Sequence, residues 1–311
     1  MGIPTKARQE FSQHQAKKIL TAPELNSLNT RYNWRGLIQL TGHLSVMGIM
    51  GYLWISGENW FIKIPALIVY GFSLAAMFAP LHESCHRTAF ASNRLNDFVA
   101  WWAGVLSGYN STFYRRYHKW HHRYTQIEGK DPELEDPKPS NISEYITEIS
   151  GFNWWIGKIK THYRIAVGKL DNMPYIAENA RNEVIKSTRV QLFIYGIAAA
   201  LSLIFQQPWF ITLWILPLAV GQPILRLILL AEHTGCSNDN NSFTNTRTTL
   251  TWFPLRFMMW NMPYHGEHHL YASIPFYALP QAHQKLKEHF ATIDNGYLNI
   301  NRNIIKNFNS I

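Results

Sequence analysis

The stretch HESCHRTAF, residues 82–90, puts His82, Glu83 and His86 in the H-E-x-x-H spacing of zinc hydrolases. Two imidazoles one helical turn apart converge on an ion, and a glutamate between them serves as a general base. The pattern has company. HKWHH (118–122) contributes His118, His121 and His122, AEHTG (231–235) contributes His233, and HGEHH (265–269) contributes His265, His268 and His269. A hydrolytic zinc site uses two histidines, one further ligand and a base, which leaves at least six clustered histidines without a task. One first-row ion takes at most about six ligands, so nine imidazoles call for two ions, in one shared site or two adjacent ones. Imidazole suits iron as well as zinc, and an iron pair that engages dioxygen needs many ligands and open positions.

On this reading Glu83, Glu232 and Glu267 are not hydrolytic bases but acceptors that orient ligand imidazoles, and Asp131 is a further candidate. Cys85 and Cys236 read as small packing residues and reduced thiols. The remaining histidines of the 14, His14, His43, His162, His283 and His289, are isolated and read as ordinary core or surface residues.

These groups must be positioned by long apolar elements. Residues 36–56, 61–81, 189–205 and 208–231 are four apolar runs of about 17–24 residues, the length that crosses a hydrocarbon core of roughly 30 Å. They predict an all-α integral membrane protein: four transmembrane helices in two hairpins, with a cytoplasmic helical cap formed by residues 82–188 and 232–311, as a single domain over 1–311. A soluble protein with four buried helices is the bland alternative, and the near absence of charge inside the runs argues against it. Lys63 and Arg226 lie near run ends, where they can snorkel. Lys6, Arg8, Lys17, Lys18, Arg31 and Arg35 precede the first run, while connectors 57–60 and 206–207 carry no Lys or Arg. The positive-inside tendency then places both termini and all four histidine groups on the cytoplasmic side, in a bacterial inner membrane. No cleaved targeting segment is evident in the first 20 residues. The net charge of +9 is spread along the cytoplasmic segments, a pattern for anionic lipid and an acidic protein partner and not for nucleic acid. Within the cap, 97–109 is apolar but too short to span, 131–141 reads as a surface loop, and 142–170 mixes Trp154, Trp155 and Tyr163 with Lys158, Lys160 and Arg164 as a helix in the headgroup plane does.

HESCH, HKWHH and HGEHH, separated by paired membrane helices, resemble the three histidine boxes of the membrane fatty acid desaturase and hydroxylase superfamily, and the likeness covers roughly residues 36–290. HRTAF, DPEL, AEHTG and NMPYHGEHHLYASIPFYALP are similar to its bacterial desaturase-like branch, and AEHTG also to membrane alkane hydroxylases. The resemblance implies two iron ions held by the nine grouped histidines, O₂ as co-substrate, and attack on an unactivated C–H bond of a lipid or alkyl chain. It also implies a separate electron donor of ferredoxin, rubredoxin or cytochrome b5 type, since the chain has two cysteines and no electron-carrier motif. Double-bond introduction into an acyl chain is the leading expectation, hydroxylation the alternative, and an intramembrane zinc protease the distant one. Leu229 stands four residues before His233, where animal acyl-CoA desaturases carry Asn, so the acyl-CoA substrate in particular does not transfer.

Overall fold

The computed structural model describes residues 19–308; Lys6, Arg8, His14, Lys17 and Lys18 lie outside them. A short helix α1 (Ala22–Leu28), closed by a Thr21–Glu24 capping box, leads into α2 (Asn33–Ser56). Asn59 then caps α3 (Trp60–Ala75) by accepting from the Phe61 N–H. After a turn at Ala76 and Met77 the chain continues as α4 (Phe78–Cys85), which carries the first histidine box. Ser92 caps α5 (Asn93–Ser107), and Asn110 caps α6 (Ser111–Tyr124), the helix of the second box. Between them Gly108 takes φ 78°, a conformation glycine adopts without strain, and ends α5.

Among the described residues three stretches are long and apolar enough to cross a membrane: Trp60–Cys85, Glu178–Ile204 and Ile211–His233. The last two contain α9 (Arg181–Ile204) and, after a π-helical turn at Ile211–Ile215, α10 (Leu216–His233). The first expected span, 36–56, does form a continuous helix in α2. Gln39, Thr41, His43 and Ser45 make it less apolar than the others, and it does not join them on composition. Its buried His43 is fully satisfied: Nε2–H donates to Ser73 O at 2.8 Å, and Nδ1 accepts from Trp260 Nε1 at 3.3 Å. The helix containing the run 189–205 starts earlier than that run suggests, because residues 181–188, mostly polar, already belong to α9.

α2 packs on α3, and α10, whose expected partner is α9, packs chiefly on α3 as well. At their crossing a Cβ on Gly71 would collide with Pro217 O, and one on Gly221 with Gly71 O, so only glycine allows the two backbones to meet. That contact sets the separation of the two apolar stretches, Trp60–Cys85 and Ile211–His233, that carry His82 and His233. By contrast α9 is peripheral: 11% of its apolar window is buried, against 61% for Trp60–Cys85, so its Phe193, Leu203 and Ile204 face outward.

The segment expected in the headgroup plane is two helices, α7 (Ile142–Ile149) and α8 (Phe152–Ala166), split at Gly151 with φ 78°. Residues 97–109 fall within α5, which buries Val99, Ala100 and Ala103 and exposes Phe98 and Trp102. Beyond α10, β1 (Thr248–Leu250) precedes α11 (Phe253–Met258), then α12 (His265–Leu270) with the third box, α13 (Leu279–Leu286), β2 (Ile293–Asn295) and α14 (Tyr297–Asn307). The parallel β1–β2 pair is a local departure from an all-helical chain. Thr248 N donates to Thr292 O, and Arg247 bonds Asp294 at 2.8 Å, fastening the C-terminal segment beside α12. The main core joins Leu74, Phe78 and Leu81 to Leu218, Leu225 and Ile228, with Phe90 and Trp260 beneath.

Candidate metal centre

Four helices deliver the nine grouped histidines to one buried region. α4 supplies His82 and, just past its end, His86; α6 supplies His118, His121 and His122; the last residue of α10 is His233; α12 supplies His265, His268 and His269. Potential ligand atoms of His82, His86, His118, His122 and His268 all lie within 4.8 Å of one another, and those of His121, His233 and His269 form a second group on the same criterion. His265 joins the second group through its Nε2, 3.3 Å from His233 Nε2. The groups touch where the His122 and His269 rings stack at 4.2 Å. His118 and His122 are one turn apart on α6 and fall in the first group, whereas the intervening His121 turns to the second.

The contacts inside the first group suit a bound metal ion. His122 Nε2 lies 3.0 Å from His118 Nε2 and 3.1 Å from His268 Nε2. One ring nitrogen has a single proton or a single lone pair, so it cannot satisfy both neighbours by ordinary hydrogen bonding. Ligand nitrogens held at right angles about 2.1 Å from an ion would stand about 3.0 Å apart. Both nitrogens of His82, and His86 Nε2, His118 Nδ1, His265 Nδ1 and His269 Nε2, are buried with no hydrogen-bond partner among the described residues. Orphaned buried nitrogens converging on common points fit a cation.

Burial holds these imidazoles neutral, the form that offers a lone pair. It lowers His86 to about 3 and, with mutual repulsion, takes His118, His122, His265, His268 and His269 well below the ordinary value. His121 is the exception. Burial pulls it down, but Glu133 and the hydrogen bond to Asp131 override that and raise it.

The second group is oriented from outside. His121 Nδ1 bonds Asp131 Oδ1 at 2.9 Å, and Asp131 is itself fixed by the Gln126 and Glu133 N–H groups at 2.8 and 3.0 Å. His233 Nδ1–H donates to Asn245 O at 3.0 Å. Thr125 Oγ1 donates to His121 O, so it accepts from His269 Nδ1–H at 3.2 Å. In each case Nδ1 is engaged and Nε2 is left for an ion.

The three glutamates are placed differently from one another. Glu232 Oε2 lies 3.5 Å from His265 Nε2, with Oε1 buried and unpartnered. Glu83 and Glu267 instead fasten the box helices: Glu83 Oε1 accepts from Phe276 N at 3.0 Å, while Glu267 holds His283 Nδ1 at 2.5 Å and Thr248 Oγ1 at 2.6 Å. The contacts to grouped imidazoles expected of these two are made among the described residues by Asp131, Asn245 and Thr125. The main-chain carbonyl of Asn245 left no trace in residue type. Thr125, one turn after His121 on the line of α6, is the signal that spacing could have exposed. Cys85 is buried against Ser111 O, consistent with packing.

The sequence profile of the fatty acid desaturase family matches residues 58–300, which include all nine grouped histidines. The chain is 26% identical to an sn-1 oleoyl-lipid 12-desaturase of Synechocystis sp., over 83% of this chain and 76% of that one. It is 24% identical to the enzyme of the same name from Picosynechococcus sp., over 79% and 76%. It is also 24% identical to a sphingolipid delta(4)-desaturase of Gallus gallus, over 90% and 80%. With the histidine groups meeting at the ends of apolar helices and the profile covering most of its length, this chain belongs to the fatty acid desaturase family and is an oxidoreductase of a membrane.

Proposed function

We propose that the protein introduces a double bond into a lipid acyl chain, using O₂ and two irons bound by the two histidine groups. The observation that carries this is the division of nine imidazoles into adjacent groups of five and four, with unpartnered nitrogens pointing inward. His82, His86, His118, His122 and His268 would hold one ion, and His121, His233, His265 and His269 the other, with Glu232 beside His265. Bound iron supplies the oxidising power for removing hydrogen from an unactivated carbon. The chain's own part is to hold imidazoles neutral, to fix three of the second group through Asp131, Asn245 and Thr125, and to keep the site dry behind Phe78 and Tyr114, whose rings pack on His82. Desaturation in place of hydroxylation depends on sub-ångström placement of the acyl chain.

The electrons come from a separate ferredoxin-, rubredoxin- or cytochrome b5-type donor that meets the basic face. Both termini and the metal centre lie on the cytoplasmic side of a bacterial inner membrane, with α2 as a fourth span. Impermeant labelling of single engineered cysteines tests this: reaction from outside near position 120 or 267 contradicts it. Product analysis under ¹⁸O₂ tests the reaction. Loss of two mass units without label is the expected result, and a stoichiometrically labelled alcohol would establish hydroxylation instead.

A further inference from the structure

A second polar cluster lies between α8 and α10, apart from the histidines. On α10, Gln222 and Arg226 are one turn apart, and on α8, Trp154 and Lys158 are likewise, so each helix presents an adjacent pair across one gap. Tyr109, in the loop between α5 and α6, stands between the pairs. Arg226 Nη2 and Trp154 Nε1 both donate to its Oη at 3.0 Å, and Lys158 Nζ sits 3.6 Å from its ring centroid. A phenol oxygen that accepts twice keeps its own proton for a further acceptor. Gln222 is 0% exposed, and neither of its amide atoms has a partner; Arg226 Nε has none either. Among the described residues no carboxylate forms an ion pair with Lys158 or Arg226.

Two cations sharing one ring, with surplus donors and with Glu133, Asp136 and Glu232 near enough to be felt but outside ion-pair distance, form an environment with room in its bonding for one oxyanion in direct contact. Burial and then the neighbouring Arg226 bring Lys158 down to about 7, a strain that a bound anion relieves. The cluster is also in the right place. Arg226 precedes His233 by seven residues, about 10 Å along the helix. Tyr109 packs on Phe78 at 4.9 Å, and Phe78 on His82 at 6.0 Å, an aromatic path from the cluster to the metal centre. The far side of α8 exposes Phe152, Ile159 and Tyr163, apolar groups suited to the edge of a bilayer.

We propose that Arg226, Lys158, Tyr109 and Gln222 form a pocket for an anionic lipid head group, a carboxylate or a phosphate, that anchors the substrate while its chain extends to the histidine groups. This rests on the reading of the protein as a lipid desaturase. The charged heads neutralise the oxyanion, Tyr109 Oη and the Gln222 amide donate to it, and its distance from the metal centre selects the carbons that react.

The test is native mass spectrometry of the purified iron-loaded protein in a nonionic detergent, titrated with oleate, dioleoyl phosphatidate and oleyl alcohol. At least ten-fold tighter binding of one or both anions over the alcohol is expected, and the preferred anion distinguishes carboxylate from phosphate. Arg226→Gln and Lys158→Gln should each remove most of that preference at unchanged iron content, and Arg226→Lys should restore part of it. Equal binding of all three lipids by the unaltered protein, which needs no variant to fold, overturns the proposal, as does a preference that survives both substitutions. Binding is read without turnover. Anion preference without an alkene product would leave the pocket standing and remove the desaturase reading; an alkene without anion preference would do the reverse.

Discussion

The two histidine groups are built from the same side chain and held in opposite ways. In the group of five, imidazoles meet imidazoles: His82 contacts His118 at 4.4 Å and His268 at 4.6 Å, and neither nitrogen of His82 has a partner. In the second group His121, His233 and His269 are each turned by a named acceptor, a carboxylate, a carbonyl and a hydroxyl. One half is shaped by packing, and a bound cation would balance its converging lone pairs. The other has three of its four rings oriented by protein groups, His265 alone having an unpartnered Nδ1. The buried Asp131 also gives it a negative charge that the first group lacks, which favours the more highly charged state of an ion bound there.

The largest expected effect comes from removing a central ligand. His268→Ala should lose the first-group ion and abolish activity, by a factor above roughly a hundred in turnover. Iron analysis should show about one ion per chain in place of two. Retention of both ions would break the division drawn here.

Crowding the crossing that brings α3 and α10 together should act on both groups at once. Gly221→Val places atoms where Gly71 O already stands, and overpacking of this kind costs about 1–3 kcal/mol or more. A lower thermal midpoint in detergent, with parallel loss of both ions, is the expected result. A variant as stable as the parent would show that the backbones do not meet there.

Asp131→Asn sharpens the comparison, because it removes the charge that orients His121 and touches nothing in the first group. A 10–100-fold weaker hold on the second ion is expected, with the first unchanged, as read from two-phase loss of iron to a chelator. Loss of both ions together would mean that the groups act as one unit.

The smallest effect is Thr125→Val, which keeps the shape and removes the hydroxyl between His269 and His121 O. A net contribution of about 0.5–1.5 kcal/mol per hydrogen bond corresponds to a few-fold change in second-ion affinity, in the same chelator assay. A change as large as that of Asp131→Asn would rank a neutral hydroxyl with a carboxylate and overturn the charge argument.

The histidine boxes were legible from spacing because i, i+3 and i+4 share a helix face, and the apolar runs were legible because a hydrocarbon layer demands a minimum length. The limits of α9 were not, since helix propensity carries on through polar residues that apolar counting omits. Nor was the first span's weaker apolar character decisive by sequence, because His43 becomes acceptable only when Ser73 O and Trp260 reach it. The isolated His283 read as ordinary, and its bond to Glu267 is a contact across 16 residues that no short pattern encodes.

By itself the sequence determined the chemistry available: nine imidazoles on helical spacing, three of them at the ends of apolar stretches, because side-chain type and periodicity are local properties. Only the tertiary structure decided how those imidazoles divide. His118 faces His82 and His86 of the first box while His121 faces His233 at the end of α10, and that division depends on helices brought together in space, at Gly71 and Gly221 among other contacts. Which acceptor turns each ring was likewise decided in space, since a carbonyl such as that of Asn245 is offered by every residue and becomes specific only through its position.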